Sequence, residues 1–189
     1  HTAAVRPGDS VVVIGAGGVG LNALQGAVIA GAGEIIALDV VAAKLAAARR
    51  FGAAHALDAR ADDLVAAVYD LTGGRGADHV LVTVGSGAAV AQGLSLLARG
   101  GNLVLVGMPP SGVAVALDPG ALAGNHPRVL GTRMGGARIR ADIPWLIALY
   151  RQGRLKLDEL VSGCYPLARI NEAIASSRNG EALRNVIMF

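Results

Sequence analysis

The feature that most narrows what this chain can fold into is a glycine-rich bend, Gly15-Ala16-Gly17-Gly18-Val19-Gly20. It separates an uncharged β-branched run, Ser10-Val-Val-Val-Ile14, from a segment of helical period. The spacing G-x-G-x-x-G is weak alone in a chain with 27 glycines, and its surroundings make it informative. The turn Arg6-Pro7-Gly8-Asp9 introduces the strand, and a helix from Gly18 to Ala30 follows the bend and ends at Gly31 and Gly33. A second strand, Glu34 to Asp39, closes on an acidic residue roughly 20 positions beyond the last glycine of the bend.

Each glycine has a physical task in such a strand–bend–helix unit. Gly15 permits the tight turn, Gly17 lets backbone approach a diphosphate, and Gly20 lets the helix pack closely on the sheet. The helix starting at Gly18 directs unpaired N–H groups and the positive end of its dipole at that anion. Asp39 is placed to accept hydrogen bonds from the adenosine ribose hydroxyls, and it would repel a 2′-phosphate by several kcal/mol at about 4 Å. The residues thus point to NAD in preference to NADP. Lys44 reads on spacing alone as an ordinary solvated lysine.

Short apolar runs alternate with helix-period segments along most of the chain, the rhythm of βαβ units and a parallel sheet. Further helices are expected over 42–51, 62–71 and 88–98, and strands near 55–57, over 79–84 and over 102–107. The fold class is therefore α/β, a doubly wound parallel sheet of Rossmann type. After Pro109-Pro110 the apolar segment Gly112 to Leu117 reads as a further strand at a sheet edge. Beyond Gly131 the rhythm changes, and helices over 141–151 and 168–177 with a last strand over 185–189 read as a separate, small C-terminal α+β segment. The expected boundary divides 1–133 from 134–189.

Several functional classes are disfavoured. The stretch Val11 to Gly33 is uncharged and long enough to cross a bilayer, but seven glycines, Asn22 and Gln25 interrupt it, so no membrane partner is expected. The chain opens with His1-Thr2-Ala3, without a basic-then-apolar leader. Net charge is +3, but the basic residues are scattered and aromatics make up 3%, which argues against nucleic acid. A single cysteine, Cys164, rules out an internal disulfide or Cys-x-x-Cys site and fits a reducing cytoplasm. His1, His55, His79 and His126 lack metal-ligand spacing, so no zinc site is expected within the chain. Gly85-Ser86-Gly87 lacks nucleophile-elbow spacing, and Ser86 reads as a helix cap beside the cofactor.

Blocks along nearly the whole chain resemble the zinc-containing, medium-chain alcohol dehydrogenases. They are Arg6 to Ser10, Gly15 to Gly20, Asp39 with Lys44, Val106-Gly-Met-Pro-Pro110, Gly131-Thr-Arg-Met-Gly-Gly136 and Gly180-Glu-Ala-Leu-Arg184. The resemblance implies that Val19 packs near the nicotinamide and that backbone groups of Val106, Thr132 and Met134 bind its carboxamide. It also makes Lys44 a ribose contact, brings Arg184 to the pyrophosphate, and sets Thr83, Val84 and Gly85 along the adenosine side. The cofactor-facing set becomes Gly15, Gly17, Gly18, Val19, Gly20, Asp39, Val40, Lys44, Thr83, Val84, Gly85, Val106, Gly107, Met108, Thr132, Met134 and Arg184, with no catalytic residue among them.

The same resemblance implies a catalytic zinc held by Cys, His and Cys ligands that would lie before His1, with hydride passing between an alcohol, or a hydroxymethyl-thiol adduct, and NAD. It implies that 134–189 belongs to the catalytic domain, that the chain is a fragment inactive alone, and that 102–107 with 112–117 forms a homodimer edge. A zinc-free quinone or enoyl reductase of the same superfamily would favour NADPH, which Asp39 opposes. A non-catalytic nucleotide-binding module or an S-adenosylmethionine methyltransferase is opposed by the Val106 to Pro110 and Gly180 to Arg184 blocks.

Overall fold

The computed structural model describes residues 1–180 and 182–189, and the chain divides into two compact units, His1–Ala137 and Arg138–Phe189. The first holds β1 (Ser10–Ile14), α1 (Gly18–Ala30), β2 (Glu34–Asp39), α2 (Ala42–Arg50), β3 (His55–Asp58), α3 (Leu64–Leu71), β4 (Ala77–Val82), α4 (Gly87–Ser95), β5 (Leu97–Leu105), α5 (Pro119–Asn125) and β6 (Arg128–Gly131). All six strands run parallel in the order β3-β2-β1-β4-β5-β6. The order reverses direction between β1 and β4, which opens a crevice at their carboxyl ends, where the glycine bend lies.

The sequence dictates this arrangement through burial. A parallel strand covered by helices on both faces must be apolar throughout, and all five residues of β1 are buried. On one face Val12, Ile36, Leu38, Val80 and Leu103 form a continuous cluster with Leu64, Val68 and Leu96. The helix α1 stops where Gly31, at φ +83°, turns its N–H back to the carbonyls of Ala27 and Val28.

At the amino ends of the strands, opposite the bend, a polar network secures the sheet. His79 on β4 is 4% exposed, and its Nε2 lies 2.9 Å from Asp9 Oδ2 while its Nδ1 lies 3.1 Å from the Asn102 side-chain nitrogen. An amide N–H donated to Nδ1 leaves the ring proton on Nε2, facing Asp9. Burial pushes the Asp9 carboxyl up, but hydrogen bonds from the Arg6 amide and from His79, with the nearby Arg6 charge, outweigh it and hold the group below its ordinary value. Beside it the Asp78 carboxylate accepts from both the amide and the hydroxyl of Ser10. His79 is thereby accounted for as a structural residue.

Several boundaries differ from the expected ones. The chain over 112–117 is not a strand: it has no ladder partner, because β6 takes the place beside β5 and ends that side of the sheet. Val113 and Leu117 stay about half exposed, while Val113 Cγ1 comes within 2.9 Å of where a Cβ on Gly87 would lie. The expected helix over 88–98 is Gly87–Ser95, started by Ser86, whose hydroxyl accepts from the Ala89 amide. The next strand begins early, at Leu97, because β5 pairs with Ala77 and then bulges before resuming at Asn102, with Gly100 at φ +75°.

The second unit holds α6 (Ile139–Arg151), β7 (Val161–Pro166), α7 (Ile170–Arg178) and β8 (Arg184–Met188). The strands β7 and β8 form a two-stranded parallel sheet. Its buried apolar residues are Leu149, Leu155, Leu160 and Ala173, while Ile139, Ile143, Trp145, Leu146, Ile147, Ile170 and Ile174 are exposed.

Candidate functional site

The bend is built by contacts that only glycine allows. Gly15 has φ +97°, and a Cβ there would lie 2.5 Å from Val84 Cγ1. A Cβ on Gly20 would lie 1.7 Å from the Gly15 carbonyl oxygen, so α1 rests directly on the backbone of the bend. Gly17 differs: nothing lies within 4 Å of its Cβ position, and it faces open space at the start of α1. No side chain caps α1 and its first turn holds no acidic residue, so its leading N–H groups are presented to an outside acceptor.

Asp39, 8% exposed, grips this bend from the tip of β2. Its Oδ2 accepts from the Ala16 amide at 2.7 Å and its Oδ1 from the Val41 amide at 2.9 Å. Each carboxylate oxygen keeps capacity for a further donor, which is what two adjacent ribose hydroxyls would supply. A cleft of about 370 Å³ opens beside it, lined by Asp39, Val40, Ala59, Val84, Ser86 and Gln92 among others. Its far wall is tied together by Gln92, whose side-chain nitrogen donates to the Ala59 carbonyl at 2.8 Å.

A second carboxylate, Asp58, is the register partner of Asp39 on β3. Its hydrogen bonds with the Arg60 side chain and amide hold its carboxyl down at about 2, so it stays ionised but compensated. Arg60 also donates to the Val40 carbonyl at 3.0 Å, which fixes the rim of the cleft. Gln92 and Arg60 carry no sequence signal, because Gln92 on α4 reaches Ala59 after β3 and Arg60 reaches back to Val40 after β2.

Thr83 does not line the cleft. Its hydroxyl turns under the bend, 2.8 Å from the Gly15 carbonyl and 3.0 Å from that of Ile14. Val84 does line it, and Gly85 lies where the chain leaving β4 crosses the chain leaving β5. A Cβ on Gly85 would lie 2.4 Å from Met108 O, and one on Gly107 2.4 Å from Val84 C, so this crossing admits no side chain on either strand. The Val106 and Gly107 amides both donate to the Val82 carbonyl.

Val19, Met108 and Met134 are 58%, 86% and 77% exposed, apolar side chains left in the open at the starts of loops or helix beyond β1, β5 and β6. Thr132 is joined to Thr2 through their hydroxyls at 2.9 Å. Lys44 sits half-buried in the first turn of α2, its amide bonded to the Val41 carbonyl. Arg184 opens β8 in the second unit, with its amide 3.4 Å from Ser162 Oγ, and the neighbouring Glu181 of its block lies outside the described residues. Among the described residues no group of three or more His, Cys, Asp or Glu converges on a point where a metal ion could sit.

The family profile described as zinc-binding dehydrogenase matches residues 18–152, more than half of the chain. The chain belongs to the zinc-binding dehydrogenase family. Among curated relatives, the NDMA-dependent alcohol dehydrogenase of Amycolatopsis methanolica is 41% identical across 100% of the chain and 51% of its own length. A probable S-(hydroxymethyl)glutathione dehydrogenase 1 of Schizosaccharomyces pombe is 36% identical over 99% of the chain and 50% of its own.

Among solved structures, an alcohol dehydrogenase zinc-binding domain protein from Burkholderia ambifaria superposes with TM-score 0.95 at 38% identity, over 100% of this chain and 50% of that one. A putative zinc-binding dehydrogenase from Sinorhizobium meliloti bound to NADP superposes with TM-score 0.83 at 27% identity, over 92% and 50%. The chain thus spans about half the length of the relatives it matches. Among the described residues, no helix is long and apolar enough to cross a membrane.

Proposed function

We propose that this chain is the NAD(H)-binding portion of a zinc-dependent alcohol dehydrogenase. Residues 134–189 contribute to its catalytic domain, and the metal ligands lie in the part of the relatives' length that the chain does not span. The observation that carries the reading is the Asp39 carboxylate held against an uncapped glycine bend, with the open side of Gly17 beside it and the cleft at its flank. The geometry fits an adenine dinucleotide: adenosine in the cleft, its ribose on Asp39, the diphosphate at Gly17 and the start of α1. The exposed Val19 and Met134 then cover the nicotinamide, with Val106 and Thr132 offering backbone groups to its carboxamide.

When bound, the nicotinamide supplies the hydride acceptor for the alcohol carbon. The chain's own residues hold the ring and exclude water from one face of it. Calorimetric titration of the chain tests this. NADH is expected to bind at least about tenfold more tightly than NADPH, because a 2′-phosphate at about 4 Å from Asp39 costs on the order of 4 kcal/mol. Tighter binding of NADPH would favour the reductase reading, and binding of S-adenosylmethionine alone would remove the dehydrogenase reading. The substrate is an alcohol or a hydroxymethyl-thiol adduct, as the names of the relatives suggest, and the single cysteine suits a reducing cytoplasm.

The segment 112–117, without a ladder partner of its own, is proposed to meet the same segment of a second copy. Sedimentation equilibrium is expected to give a dimer that Val115→Lys, at the centre of that segment, returns to monomer. A monomer in the unsubstituted chain would remove this part of the proposal.

A further inference from the structure

The peptide joining Gly15 to Ala16 is clamped at both of its polar ends. Its N–H donates to Asp39 Oδ2 on β2 at 2.7 Å, and its carbonyl oxygen faces the Thr83 hydroxyl on β4 at 2.8 Å. A hydroxyl has one proton to give, and the other oxygen in reach, Ile14 O, is already served by the Thr83 amide at 2.9 Å. The Thr83 proton therefore belongs to Gly15 O, which takes no backbone N–H among the described residues. Because a peptide is planar, fixing its oxygen and its nitrogen fixes the plane, and with it the direction in which the chain leaves toward Gly17 and Gly18.

The same hydroxyl explains the glycines around it. It lies 2.8 Å from where a Cβ on Gly15 would be and 3.1 Å from where one on Gly20 would be, so it fills the space those side chains would claim. We propose that Thr83 is a positioning residue: its hydroxyl, through the Gly15–Ala16 peptide, aims the Gly17 and Gly18 amides at the diphosphate without touching the cofactor. The inference rests on the reading of the bend as a diphosphate site.

Thr83→Val removes the hydroxyl and keeps the β-branched shape, while Thr83→Ser keeps the hydroxyl. Calorimetry on the full chain with NADH, ADP and adenosine separates the roles, since adenosine reaches Asp39 but carries no phosphate. Thr83→Val is expected to weaken NADH and ADP by about tenfold and to leave adenosine within about twofold, with Thr83→Ser restoring both phosphate-bearing ligands. Unchanged ADP binding by Thr83→Val, or an equal loss for adenosine, overturns the positioning role while leaving the site in place. Failure of the unsubstituted chain to bind any of the three overturns the site itself, and this inference with it.

Discussion

Gly20→Ala is expected to destabilise the chain by about 3 kcal/mol or more and to abolish NADH binding, as measured by urea unfolding and calorimetry. The added Cβ would stand 1.7 Å from the Gly15 carbonyl oxygen, a backbone atom in a peptide fixed at both ends, so relief requires α1 to lift from the sheet. Gly17→Ala provides the contrast. Nothing lies within 4 Å of its Cβ, so stability should change by less than about 0.5 kcal/mol, while NADH affinity falls because the methyl group occupies the diphosphate's approach. If both variants lose stability alike, Gly17 is a structural glycine and the open face beside it is no binding surface.

Asp39→Asn should lower NADH affinity by about 10-fold to 100-fold and bring the NADPH-to-NADH ratio close to one. Two effects combine. The like charge that opposes a 2′-phosphate disappears, and the amide can accept from only one of the Ala16 and Val41 N–H groups that the carboxylate now satisfies together. The loss of NADH and the relative gain of NADPH are separable, because only the second depends on charge. Direct comparison of the two dissociation constants in low and physiological salt reads both. Discrimination that survives in Asp39→Asn would place the selecting group elsewhere.

The bend and Asp39 were legible in the sequence because each signal is local: an apolar run, a glycine spacing, an uncapped helix start and an acid at the next strand end. The alternating apolar residues over 112–117 misled for the same reason. Alternation reports which side chains seek burial and says nothing of which strand supplies hydrogen bonds, and in this chain β6 holds the place beside β5. The strands β6 and β7 were missed because Arg128-Val-Leu-Gly131 is four residues long and Val161 to Pro166 carries Ser, Gly and Pro among few apolar groups. Asp118-Pro119 was a readable start signal for α5: the Asp118 carboxylate accepts from the Gly120 and Ala121 amides, and proline sits at the first helical position.

What no local reading reaches is contact across the sheet. The family resemblance sets Thr83 along the adenosine side, and only the pairing of β1 with β4 turns its hydroxyl under the bend. Gly85 and Gly107 lie far apart in sequence, and their mutual need for hydrogen side chains follows from the crossing of two strand exits. Gln92 likewise acts through Ala59 on another element. Such residues are set by which strands become neighbours, a property of the assembled sheet.

The most direct test of the account is a crystal structure of the chain grown with NADH. Diphosphate oxygens are expected within hydrogen-bond reach of the Gly17 and Gly18 amides, and both adenosine ribose hydroxyls on the Asp39 carboxylate. A dinucleotide bound elsewhere, or one whose ribose leaves Asp39 untouched while the diphosphate bypasses the start of α1, would contradict it.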